Sequence, residues 1–164
     1  MFYKNARIFP PDFRFRTGAF EVRDGLFGEV LPENVPADAV DLNGATVIPG
    51  LIDVHSHGNS GADFSDGALA GVEKMAEYLG KNGVTSFAPA SMTLPYETLA
   101  AAFASARAFV DENRTDCAAL RGIQMEGPFF SEKKKGAQNA AYLREPDFEA
   151  FSKLFAAGNG IVRI

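Results

Sequence analysis

The chain has 164 residues, 46% of them apolar, with 16 basic against 21 acidic side chains for a formal charge of −5. That apolar content, with 15 Phe, excludes a disordered polymer, and the acidic balance excludes a nucleic-acid binder, whose basic surface must displace counterions. The one like-charge run, Lys133-Lys134-Lys135, is too short for that task.

The chain changes character near Pro49-Gly50. Before it, short strand-like runs alternate with turn signals: Phe2 to Phe9, Ala19 to Arg23, Leu26 to Leu31 and Ala45 to Ile48. Asp24-Gly25 between two apolar runs predicts a hairpin, and Pro10-Pro11-Asp12, Pro32 and Pro36 stop strands. Residues 1–49 therefore read as a small β unit.

Residues 50–164 read as α/β, with apolar strands alternating with amphipathic helices as in a parallel sheet. The predicted strands are Leu51 to His57, Val84 to Ala90 and Arg121 to Glu126. A helix over Gly67 to Lys81 buries Leu69, Val72, Met75, Ala76 and Leu79, and Gly83 follows its end. A second, from Pro95 to Asn113, carries Leu99, Ala102, Phe103, Ala106 and Val110. A third opens at Pro146-Asp147 with Phe148, Phe151, Leu154 and Phe155, and Gly160 to Ile164 looks like the start of a fourth strand. A barrel of eight such units takes about 250 residues, so a fragment of a longer barrel or an open sheet is expected.

Both histidines lie in His55-Ser56-His57. Two histidines placed at random fall two apart about once in 80 times, a compositional estimate. On a strand, residues two apart point to the same side, so both imidazoles aim at one point, as a metal ion requires. Ligands in parallel α/β folds bind at the carboxyl ends of strands, where this pair sits. Glu126 closes the third strand at the same rim, and a carboxylate there is costly to bury unless a cation neutralises it. Asp53 shares the strand face and either holds a histidine ring or caps a turn. Asp63 and Asp66, in the Gly-rich loop Gly58 to Gly67, suit backbone hydrogen bonds better than metal. Cys117 is the only cysteine and is expected to be inert. A Ser or Cys triad is unfavoured, because neither histidine is free to act as a separate base.

The run Val47-Ile48-Pro49-Gly50-Leu51-Ile52-Asp53-Val54-His55-Ser56-His57-Gly58 resembles the opening of the amidohydrolase superfamily. The segments GADFSDG, GVTSFAPA, MEGPFFS and KKGAQNAAYLR are similar to the N-acetylglucosamine-6-phosphate deacetylases within it. The resemblance implies part of a small β-sandwich in residues 1–49 and the first three to four β/α units of an incomplete (β/α)8 TIM barrel in 50–164. It implies metal-dependent hydrolysis of the acetamide of N-acetylglucosamine 6-phosphate to glucosamine 6-phosphate and acetate, in amino-sugar catabolism.

By position, His55, His57 and Glu126 match the family's metal ligands, and Ala137 and Gln138 match residues that touch the sugar. The implied cofactor is one or two divalent ions, zinc before iron. The implied partner is the small amino-sugar phosphate, with a homodimer in the full-length protein. No catalytic residue is expected in this chain: the aspartate that carries the proton comes from a later strand in the family, and this sequence has no His after His57. The isolated chain is accordingly expected to be inactive. An amidohydrolase acting on a cyclic amide is one alternative, disfavoured by Glu126 in its motif; a noncatalytic metal-binding or interaction fragment is the other. No membrane span or export signal is read in the sequence, so the expected compartment is the cytoplasm.

Overall fold

A computed structural model describes residues 1–32, 34–158 and, as backbone, 162–163. The chain divides into two compact units, Met1–Pro49 and Gly50–Ile164.

The first unit is a five-stranded sheet of β1 (Phe2–Ile8), β2 (Arg16–Arg23), β3 (Leu26–Leu31), β4 (Val40–Asp41) and β5 (Thr46–Val47). The expected hairpin forms: Arg23 pairs with Leu26 in the antiparallel β2–β3 ladder across Asp24-Gly25. β1 is central, antiparallel to β2 and parallel to β4 and β5. Ala6, Ile8 and Phe20 are its buried centre, with Tyr3, Val22, Val30, Leu42 and Val47 packed around them. β4 was not anticipated, because two residues are too few for alternation to show. The Ala45 to Ile48 run contracts to Thr46–Val47, and β2 starts three residues early, at Arg16.

In the second unit, β6 (Leu51–Ser56), β7 (Gly58–Asn59), β8 (Ala62–Asp63), α1 (Leu69–Lys81), β9 (Val84–Pro89), α2 (Tyr96–Asp111), β10 (Ala119–Leu120), β11 (Ile123–Gln124), α3 (Phe148–Ala157) and β12 (Val162–Arg163) follow in order. β6–β9, β9–β10 and β11–β12 are parallel pairs, and Ala90 bridges Gln124 in the same sense. The core lies between strands and helices: Phe64, Phe87, Phe103, Met75, Leu99 and Ile123 are among its fully buried side chains. α1 buries Val72, Met75, Ala76 and Leu79, as the spacing predicts, while Leu69, expected with them, is only half-buried.

Four expectations are corrected. The strand read as Arg121 to Glu126 contracts to Ile123–Gln124, which pairs with β12; Ala119–Leu120, just before the expected range, pairs with β9, and Met125 and Glu126 lie beyond β11. The change of partner falls at Gly122, after Arg121 N–H has donated to Phe87 O at 2.9 Å, and a glycine weakens a strand interior. On α2 the deeply buried residue of the last turn is Phe109, its ring 6.4 Å from that of Phe87, while Val110 is only half-buried. On α3 only Leu154 is buried; Phe148, directly after the Asp147 cap, faces away from the core and is exposed. Finally, β6 is not buried on both faces as a parallel strand would be, since Ile52 and Val54 are 70% and 64% exposed. Among the described residues its only ladder partner is β9. Of the expected fourth strand, Val162 and Arg163 pair with β11, and Gly160, Ile161 and Ile164 lie outside the described residues.

Candidate metal centre

β6 delivers His55 on its last turn of pleat and His57 directly after its end. Their rings are perpendicular, with centroids 5.2 Å apart. Glu126 arrives from the segment after β11. Its Oε2 lies 3.1 Å from Nε2 of His55 and 3.1 Å from Nε2 of His57. One ligand atom from each residue falls within 4.8 Å of the others.

Glu126 Oε2 is itself buried, yet accepts no hydrogen bond. Neither imidazole contact, though short, has hydrogen-bond geometry. A second contact settles one ring's proton. Nδ1 of His57 is 3.1 Å from the carbonyl oxygen of Ala90. A carbonyl can only accept, so Nδ1 carries a hydrogen, and in the neutral ring that leaves Nε2 as the nitrogen with a lone pair on the Glu126 side. A lone pair and a carboxylate oxygen at such a distance repel one another unless a proton or a metal ion lies between them. Two imidazoles and a carboxylate also suit the borderline ions, zinc and iron among them. These residues fit the metal that the sequence suggested.

The other candidates are placed elsewhere. Asp53 Oδ1 accepts from the His55 backbone N–H at 3.0 Å and does not hold a ring. Asp63 Oδ1 accepts from Ser65 N–H at 2.8 Å, and Asp66 Oδ2 from Asp63 N–H, which caps the short turn Phe64–Asp66 from both sides. Both acids serve backbone geometry and stand outside the cluster. Ala137 is exposed, whereas Gln138 is 4% exposed with Oε1 accepting from Thr93 N–H at 2.7 Å. Cys117 is half-buried, and desolvation, opposed by Arg114, pushes its thiol pKa up.

The turn Ala90–Thr93 escaped the sequence reading, although it too leaves the carboxyl end of a strand. Ser91 and Thr93 are fully buried there, with hydroxyls that have no hydrogen-bond partner. Alternating polar residues after an apolar strand end were the available signal.

No family model matches the chain. It is 32% identical over 161 residues to the N-acetylglucosamine-6-phosphate deacetylase of Bacillus subtilis strain 168, covering 91% of this chain and 39% of that protein. It is 27% identical to the N-acetylgalactosamine-6-phosphate deacetylase of Escherichia coli O157:H7, covering 87% of this chain and 37% of that one. A solved structure of N-acetyl-D-glucosamine-6-phosphate deacetylase from Mycobacterium smegmatis, a mutant in complex with N-acetyl-D-glucosamine-6-phosphate, superposes with a TM-score of 0.84 at 26% identity. That match covers 99% of this chain and 42% of the other. The chain thus spans about two fifths of the length of the relatives it matches. Over about nine tenths of its own residues, in sequence and in fold, it is similar to the N-acetylglucosamine-6-phosphate deacetylases.

Proposed function

We propose that these residues form the N-terminal part of a metal-dependent (β/α)8 hydrolase, with residues 1–49 contributing to its β-sandwich, that removes acetate from N-acetylglucosamine 6-phosphate. The observation that carries the reading is the convergence of His55, His57 and Glu126 on one point, with the Glu126 oxygen buried and otherwise unpartnered. The exposed apolar residues Ile52 and Val54 on an edge strand support the idea that more chain packs against β6 in the whole protein.

A divalent ion at this point supplies Lewis-acid activation of both water and the amide carbonyl. His55 and His57 hold it through Nε2, and the carboxylate of Glu126 offsets its charge. The Ala90 carbonyl keeps His57 in the tautomer that coordination needs. Ala137 and Gln138 face the sugar. Gln138 Oε1 is committed to Thr93 N–H, and its amide nitrogen lies 4.0 Å from Met92 Sδ, the weaker contact of the two and the one a sugar hydroxyl would displace. We assign no proton carrier to residues 1–164: the aspartate for that step is proposed to lie in the rest of the protein, with a second subunit completing a cytoplasmic dimer. The isolated 164 residues then bind metal without turnover.

The test is acetate release from N-acetylglucosamine 6-phosphate by the full natural polypeptide that contains these residues, before and after chelation. Loss of activity on chelation and its return with zinc or iron is expected; activity that survives both chelation and His55→Ala sinks the reading. The similarity to an N-acetylgalactosamine-6-phosphate deacetylase favours one second reading, the C4 epimer as substrate, and the same assay with that sugar decides between them.

A further inference from the structure

Four consecutive backbone N–H groups, Ala90 to Thr93, are each taken by a different segment. Ala90 N–H donates to Ser56 O at 2.9 Å, at the end of β6, and Ser91 N–H to Gln124 O at 3.0 Å, at the end of β11. Met92 N–H donates to Ser65 Oγ at 3.3 Å, and Thr93 N–H to Gln138 Oε1 at 2.7 Å. Connections between elements ordinarily spend such donors on water; this one is pinned from four sides. Its first residue carries the carbonyl that sets the His57 tautomer.

The shortest of the four bonds is the one from Gln138, and it is buried. Gln138 is itself held: its backbone N–H donates to Lys135 O at 3.1 Å, and its carbonyl accepts from Lys135 Nζ at 2.8 Å. The side chain is 4% exposed, so water cannot replace it cheaply at Thr93. From this we infer that Gln138 is a positioning residue of the metal centre: its carboxamide oxygen locks the Ala90–Thr93 turn, and that turn holds His57 with Nε2 free for the ion. Ser65 Oγ is the weaker second lock on the same turn. This rests on the metal-centre reading above but not on the identity of the substrate.

The probe is cobalt(II) alone, titrated by its visible absorption into the metal-free full natural polypeptide carrying these residues. The second readout is the His57 tautomer in the metal-free protein, from long-range proton–nitrogen NMR correlations. Gln138→Ala is expected to weaken cobalt binding about tenfold, in the range for residues that support a ligand, and to mix the Nε2–H tautomer into His57. Gln138→Glu keeps an acceptor oxygen and is expected to restore both.

Gln138→Ala with a lowered melting temperature but unchanged cobalt affinity and tautomer overturns the inference, since Gln138 is then only a brace. So does a Gln138→Glu protein as impaired as Gln138→Ala. If Gln138→Ala does not fold, Ser65→Ala decides: a drop of a few-fold in cobalt affinity is expected, and no drop overturns the inference. A wild-type protein that binds no cobalt fails the metal-centre reading itself, which separates the two failures.

Discussion

The carbonyl oxygen of Ala90 accepts a hydrogen bond from Nδ1 of His57 across 3.1 Å and 33 positions of sequence. β6 and β9 are parallel neighbours, so the residue after β9 reaches the residue after β6, and the ring is oriented by backbone from the adjacent strand. His55 has no such holder among the described residues, and its ring is the more exposed, at 47% against 34%.

That asymmetry predicts unequal ligand deletions. His57→Ala removes a pre-oriented donor and is expected to lower zinc affinity by at least about a hundredfold, beyond the range for supporting residues. His55→Ala removes a donor whose ordering costs side-chain entropy on binding, about 1 kcal/mol, and should lose less. Competition titration against a chromophoric chelator measures both, and a larger loss for His55→Ala would count against the tautomer argument.

Glu126 offers a second, opposite pair of effects. In the metal-free protein its buried Oε2 accepts no hydrogen bond, although Nε2 of each histidine lies 3.1 Å away. Glu126→Gln places an N–H donor beside those nitrogens and is expected to raise stability without metal by about 1 kcal/mol. The same change should shrink the rise in melting temperature that zinc gives, because a neutral amide oxygen holds a dication more weakly than a carboxylate and the linkage falls with the affinity. Thermal melts with and without zinc test this. A Glu126→Gln protein that melts lower without zinc refutes it.

The legible parts of the fold were those whose cause is local. Val72, Met75, Ala76 and Leu79 recur at helical spacing, and Asp24-Gly25 carries its turn chemistry within two residues. The histidine pair was legible for the same reason, because a two-residue spacing on a strand already fixes a common side. Glu126 needed the further assumption that strand ends share a rim, and the structure brings it to the histidines even though the strand stops at Gln124. The pinning of the Ala90–Thr93 turn was not legible, since its partners Ser56, Ser65, Gln124 and Gln138 are distant in sequence, and the motifs that hold three of them do not tell which backbone N–H each will take. Phe109 displaced Val110 for a tertiary reason, the ring of Phe87.

Gly127, next to Glu126, is held at φ +81°, and a Cβ there would come 2.0 Å from Thr93 Oγ1. Gly127→Ala therefore combines left-handed backbone strain, about 1 to 2 kcal/mol, with overpacking of about 1 to 3 kcal/mol. Adding Thr93→Ala relieves only the second part. Urea midpoints should show a large loss for the single change and partial recovery in the double, and no recovery would mean that backbone strain alone sets the cost.

Cys117 makes a prediction about pH. Burial pushes its thiol pKa above the ordinary value, with Arg114 opposing and Asp116, Glu77 and Glu112 adding smaller upward contributions. Below the ordinary thiol pKa both states keep the proton, and stability is unaffected by this group. As pH rises past it, the unfolded chain releases its proton first, so stability falls until the folded thiol ionises too. Urea midpoints between about pH 8 and 10, where free thiols titrate, should decline for the wild type and decline less for Cys117→Ala. Equal declines would assign the loss to other groups.

Ile52 and Val54 test whether β6 is a finished surface. Two large aliphatic side chains 70% and 64% exposed, on a strand with one ladder partner among the described residues, are an association site in any chain that leaves them open. The 164-residue polypeptide is expected to self-associate in light scattering at micromolar concentration, and Ile52→Lys with Val54→Lys to return it toward monomer. In the longer natural polypeptide the same pair of changes should act in the reverse sense. If further chain covers β6 there, two lysines are forced under it, and stability should fall by several kcal/mol, as for buried unpaired charges. A pair of changes that is neutral in the long protein would mean that the face of β6 is solvent-exposed in both, and the barrel reading of residues 50–164 would lose its main structural support.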